Sequence, residues 1–223
     1  MKKRVTTLLL AFMLAGGYAQ ENPIAIPGAL FKVAPQNFIN NALKVGAEFF
    51  SKSKERSYLV YLSGSFNPDN NDYSYYPAGI GAEFQYRKYI APLTVYTTKR
   101  NKEYLQGIYV SGYVQGGSYS AEYSDFNYYY NPANPNQPVP TTYTTEESSY
   151  NYGAGFTIGF HRTLWKVLFI DAYLGGGLQG SHVEKTTTPT LPPNPYTYTY
   201  YDITDPRYSG VLPKFGLQIG VML

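Results

Sequence analysis

Six ionisable residues sit at alternate positions inside otherwise apolar segments: Lys44 with Glu48, Glu83 with Arg87, and His161 and Asp171. Strand side chains point to opposite faces in turn, so each of these groups lies opposite a row of apolar neighbours. Gathered inside one closed sheet, they could form a gated ion path, a catalytic carboxylate pair, or a salt-bridged filling. Buried charges must be paired and hydrogen-bonded, and a small closed sheet encloses little more than room for its own side chains. The filling is therefore the expected outcome.

Other chemical motifs fail on context. Gly175-Gly176-Gly177-Leu178-Gln179-Gly180 fits a dinucleotide pattern and follows a strand, yet Ser181 to Thr190 has no helical periodicity to aim at a phosphate. The glycines instead suit a crowded strand. Two distant histidines and no cysteine build no metal centre, so neither metal nor cofactor is expected. With 18 Lys and Arg against 15 Asp and Glu, the surplus of three is matched by Lys2, Lys3 and Arg4. The remainder is neutral and offers nothing for nucleic acid.

Those three basic residues open a leader. Leu8 to Leu14 is a short apolar run, and Gly17-Tyr18-Ala19 supplies small residues for cleavage before Gln20. Residues 1–19 are expected to be a signal peptide, and 20–223 one domain. The apolar run is too short for a spanning helix, and no later stretch qualifies.

The elements that must position the charges are strands. Eight alternating segments are expected: 28–35, 42–50, 57–66, 79–88, 104 to about 122, 149–161, 167 to about 182, and 208–223. In the clearest, Tyr150, Tyr152, Ala154, Phe156, Ile158 and Phe160 oppose Asn151, Gly153, Gly155, Thr157, Gly159 and His161. In the last, Phe215, Leu217, Ile219, Val221 and Leu223 oppose Gly216, Gln218 and Gly220. An apolar outer face with a small polar inner one is the pattern of a transmembrane barrel, and 26 tyrosines suit its interfacial girdles. Long connections (Asn67–Pro77, Tyr123–Ser148, Thr186–Arg207) alternate with shorter ones (Ser51–Arg56, Tyr89–Glu103, Arg162–Lys166), as external loops alternate with periplasmic turns. The expected fold is all-β, an eight-stranded antiparallel up-and-down transmembrane barrel in a bacterial outer membrane.

The segments Phe31-Lys32-Val33, Leu43-Lys44-Val45-Gly46-Ala47-Glu48, Gly81 to Tyr89, Gly107 to Tyr113 and Ile170 to Gly177 together resemble small eight-stranded outer-membrane barrels such as the OmpA transmembrane domain. In style they are similar to the Bacteroidetes-type outer-membrane proteins of unknown function. The resemblance covers nearly the whole chain after the leader and implies architecture rather than activity. Unlike the full OmpA type, no peptidoglycan-binding domain is expected after the barrel. Contacts with outer-membrane lipid and lipopolysaccharide follow.

Outer-membrane lipid A deacylases and palmitoyltransferases are also small barrels that use a histidine with a serine near the outer rim. Here His182 has Ser181 beside it and Glu184 two positions on, but Ser181 points to the opposite face, so the pair cannot share a proton without a bulge. No enzymatic activity is expected. A small-solute channel is the other alternative. If the protein binds an extracellular protein or glycan, the tyrosine-rich loops are the expected place, with Glu146, Glu147, Asp202 and Asp205 as carboxylates suited to divalent cations.

Overall fold

The structure is a computed structural model that describes residues 28–66, 78–97, 103–130, 138–164, 168–188, 202–203 and 205–222. The leader expected over 1–19 and the connection 67–77 lie outside these residues. Eight strands run β1 (Ala29–Val33), β2 (Ala42–Phe50), β3 (Arg56–Ser65), β4 (Ala78–Thr97), β5 (Glu103–Tyr130), β6 (Pro138–Thr163), β7 (Leu168–Thr188) and β8 (Gly210–Met222). Each pairs antiparallel with its sequence neighbour, and β1 also pairs with β8, so the sheet closes into a ring. Up-and-down connectivity places the strand ends that flank 67–77, 131–137 and 189–209 at one end of the ring and those that flank 51–55, 98–102 and 164–167 at the other.

The two faces of the wall differ in the way the alternation dictates. Phe156, Leu174 and Phe215 point outward at 78%, 64% and 76% exposure. Val60, Leu62, Ile80, Phe84, Val114, Ile158 and Leu178 continue the same outward belt. Inside, Lys32, Glu48, Arg87, His161 and Asp171 are fully buried. Outward Tyr58 stacks near Phe84 and Tyr86 (ring centroids 6.3 and 5.7 Å), close to the end with shorter connections. Just beyond those rings, Arg56, Lys88 and Arg162 form an exposed basic margin.

Inward aromatic residues are matched to inward glycines on the neighbouring strand. Tyr61 is in register with Gly46, Tyr119 with Gly79, Tyr109 with Gly159, Tyr113 with Gly155, Phe169 with Gly220, and Tyr173 with Gly216. A Cβ at Gly159 would come within 2.2 Å of the Tyr109 ring, and one at Gly220 within 2.4 Å of Phe169. Each ring therefore lies flat across a position that only glycine leaves empty, and the cross-strand pair is the packing unit. This is how a narrow ring holds so many tyrosines.

Four strands are longer than the alternation of apolar residues suggests. The expected loop Tyr123–Ser148 is instead a β5–β6 ribbon whose ladder continues to Tyr130↔Pro138. Likewise, β4 runs to Thr97 through the expected connection Tyr89–Glu103, with register shifts at Tyr89/Ala91 and Ala91/Thr94. β7 continues to Thr188, into the expected loop from Thr186. The physical reason lies in composition: these stretches are rich in Thr and Tyr, which favour extended chain. Where both faces of a strand are polar, there is no apolar row for the alternation to reveal.

The β1–β2 connection is a 3-10 turn, Pro35–Asn40, that begins with proline at its first position. It ends at Asn41 in the left-handed region (φ 51°), whose N–H reaches back to the carbonyls of Asn37 and Phe38. Gln36 of this turn lies against Gly216, so the turn folds in over one end of the ring.

Candidate functional site

Two polar layers fill the interior. The first joins β1, β2, β4 and β7. Lys32 bridges Glu48 and Asp171, with all three side chains fully buried. Arg87 Nη1 donates to Asp171 Oδ2 at 2.6 Å and to Glu48 Oε2 at 3.3 Å. Its remaining N–H groups reach Gln85 Oε1 (3.0 Å) and Gln218 Oε1 (3.4 Å), and its guanidinium lies 4.2 Å from the Tyr109 ring centroid. Tyr109 donates to Asp171 Oδ1 (2.6 Å), Tyr89 to Glu48 Oε1 (3.1 Å), and Ser57 also to Glu48. Two cations thus face two carboxylates, with neutral donors on the remaining lone pairs. That is the condition under which buried charge survives.

His161 belongs to this layer but not to its hydrogen bonds. It stacks on Phe169 (centroids 4.7 Å apart, 15° between planes), and neither ring nitrogen has a hydrogen-bond partner. Candidate ligand atoms of Glu48, His161 and Asp171 lie within 4.8 Å of one another. Lys32 and Arg87 already occupy both carboxylates, so a metal ion there would have to displace a paired cation. The donor set does not fit a metal.

The second layer lies nearer the end with the long connections. Lys44 Nζ meets Glu83 Oε2 at 2.5 Å, and Lys214 Nζ meets the same atom at 2.9 Å. Lys214 also donates to Gln115 Oε1 (2.9 Å), and Gln115 Nε2 to Gln179 Oε1 (3.1 Å). Lys44 lies 4.9 Å from the Tyr61 ring centroid and Lys214 3.5 Å from that of Tyr113. The layer holds two ammonium groups for one carboxylate.

Beyond it opens a cavity of about 400 Å³, with Lys44 and Glu83 at its floor. Ser63, Ser65, Gln115, Asn151 and Gln179 contribute polar groups to the walls. The segment before β8 arches across it: Asn151 donates to the Pro206 carbonyl (3.1 Å), Gln179 to that of Tyr208 (3.1 Å), and Ser181 to that of Arg207. Arg207 pins the arch, with Nη1 2.7 Å from Glu147 Oε1 and Nη2 2.5 Å from Asp205 Oδ2.

The six expected interior residues thus separate into two clusters, with Lys44 and Glu83 in one and Glu48, Arg87, His161 and Asp171 in the other. Sequence reasoning missed Lys32 and Lys214, which complete them. Phe31 and Val33 flank Lys32, and the parity of Phe215 sets Lys214 inward, so a signal existed for both.

Of the four carboxylates expected to serve as one loop site, Glu147 and Asp205 share Arg207, Asp202 and Asp205 line the same cavity, and Glu146 stands apart. Glu146 faces outward on β6, whereas Glu147 is turned inward and its side chain is fully buried between Lys185 and Arg207. Adjacent positions on a strand cannot share a face. Asp205 is engaged by Arg207, while Asp202 is exposed and lines the cavity. His182 is exposed and 3.4 Å from Glu184, on the face opposite Ser181. No family model, curated protein or solved structure matches the chain.

Proposed function

We propose that this chain is an integral outer-membrane β-barrel whose lumen is closed by side chains and whose outward end serves a structural or binding role. The single observation behind this reading is the inverted arrangement of the wall. An outward belt of Phe156, Leu174, Leu178 and Phe215 surrounds an interior that buries Lys32, Glu48, Arg87 and Asp171. A protein surrounded by water places these groups the other way round, and soluble monomers rarely carry contiguous apolar patches beyond a few hundred Å². In a bilayer the belt meets hydrocarbon, the Tyr58 and Tyr86 rings meet the interface, and Arg56, Lys88 and Arg162 reach lipid phosphates. Outer-membrane lipid and lipopolysaccharide are then the first partners, and the tall β5–β6 ribbon and the cavity mouth face the cell exterior.

An electrophoretic comparison tests the reading. Unheated in detergent, the folded protein is expected to migrate apart from the boiled protein, since a closed barrel resists detergent until heated. It is also expected to partition with detergent on phase separation. A monodisperse protein in detergent-free buffer would overturn the membrane assignment.

The channel alternative meets an obstacle in the Lys32–Glu48–Arg87–Asp171 layer, which has no solvent exposure and spans the interior from β1 to β7. Planar-bilayer recordings are expected to give no stable opening of porin size. Steady openings on the order of a nanosiemens from pure protein would contradict a sealed eight-stranded lumen. The lipid-modifying alternative would need Ser181 and His182 to share a proton, whereas the Ser181 hydroxyl donates to the Arg207 carbonyl on the face away from His182.

A further inference from the structure

The geometry points to the outward cavity as a binding site for a small hydroxylated carboxylate, such as a sugar acid. The layer beneath its floor carries uncompensated positive charge. Glu83 is shared by Lys44 and Lys214, and Gln85, which donates to its other oxygen at 2.5 Å, adds no charge. Lys44 retains some exposure (16% of its side chain) and lines the cavity, so its ammonium has donor capacity left for an arriving anion. In the deeper layer, by contrast, two cations and two carboxylates cancel. A fold that needed charge only as filling would balance both layers.

The walls define the rest of the ligand. Ser63 and Ser65 from β3 and Asn151 from β6 line it with hydroxyl and amide groups, beside Gln115 and Gln179, which bond each other, Lys214 and the Tyr208 carbonyl. These are the donors and acceptors that recognise hydroxyls rather than apolar groups. The Tyr61 and Tyr113 rings lie beneath Lys44 and Lys214, and neither hydroxyl has a hydrogen-bond partner. The volume of about 400 Å³ lies within the usual range for small-ligand sites. At the mouth, Asp202 and Asp205 both line the cavity, Asp205 paired with Arg207, and this charge disfavours ligands with more than one negative charge.

This inference rests on the outward placement of the cavity only for access to ligand in the cell, so it is tested apart from membrane insertion. Folded protein in detergent is titrated calorimetrically with sodium gluconate, with glucose and acetate as probes for hydroxyls alone and charge alone. Saturable gluconate binding is expected, at least tenfold tighter than either control. Lys214→Gln neutralises the layer beneath the floor and is expected to weaken gluconate binding at least tenfold. Glu83→Gln doubles the surplus and is expected to tighten it. Absence of saturable gluconate binding, glucose binding as tightly as gluconate, or indifference to both substitutions would each overturn the site. The heat-dependent gel shift checks that each variant is folded, and if neither folds, the comparison of the three probes on the unaltered protein decides. A protein lacking the shift but binding gluconate would refute the barrel in the membrane while keeping the site.

Discussion

Asp171→Ala is expected to lower the unfolding free energy by about 3–5 kcal/mol, the range for removing one partner of a buried ion pair. Asp171 accepts from Lys32, Arg87 and Tyr109 at once, and every one of these groups is buried. Without it, Lys32 and Arg87 share Glu48 alone, and the layer carries a buried positive charge that no solvent reaches. The measurement is a urea titration in detergent or lipid vesicles, followed by loss of the unheated gel band. The second variant distinguishes charge imbalance from simple loss of contacts. Lys32→Met combined with Asp171→Asn leaves Arg87 facing Glu48, a neutral layer with the amide in the carboxylate's place. It is expected to recover most of the loss, because replacing a buried pair with groups of similar volume is often neutral. A urea midpoint for Asp171→Ala equal to that of the parent would remove the layer from any account of stability. A double variant no better than the single one would leave charge balance without a role.

The parts of this molecule visible from sequence are those where one physical signal acted alone. Ala42–Phe50 was legible to the residue because apolar Leu43, Val45, Ala47 and Phe49 alternate with Lys44, Gly46 and Glu48. The inward placement of Glu83, Arg87 and Asp171 followed from the same parity. The ribbons above β5 and β6 were not legible, since parity carries no information where both faces are polar. The Thr-Thr-Tyr-Thr-Thr run at 141–145 reads as a loop by polarity and as a strand by β-propensity, and its ladder with β5 decides for the strand. That outcome turned Glu147 from an external carboxylate into the buried anchor of Arg207. Lys214 was obscured by Val211-Leu212-Pro213, where consecutive apolar residues hide the alternation. The division of the charges into a balanced layer and an unbalanced one depends on which strands neighbour across the interior. Only the β1–β8 closure, joining Lys32 to residues far along the chain, brings that about.

The outer face gives the sharpest contrast between a wall in lipid and a wall in water. Leu174→Arg is expected to cost about 2–4 kcal/mol in a bilayer, the range for a cation near the midplane on a barrel's lipid face. Leu174 is in register with Ile158 and Phe215, all three outward and apolar, so an arginine there has neither a counter-charge nor water beside it. Ser148→Arg, also outward but beside Ser120 and Glu184 above the belt, is expected to cost about 0–1 kcal/mol. In a soluble sheet the order would change. Leu174 is 64% exposed, and a surface substitution there would stay within about 0.5 kcal/mol of the parent. Reversible urea unfolding of both variants in lipid vesicles measures the difference directly. Equal, small effects at the two positions would mean that water covers the belt. A depth-dependent penalty, large at Leu174 and small at Ser148, is one that only a hydrocarbon layer imposes, because both sites are open and neither side chain supports the interior.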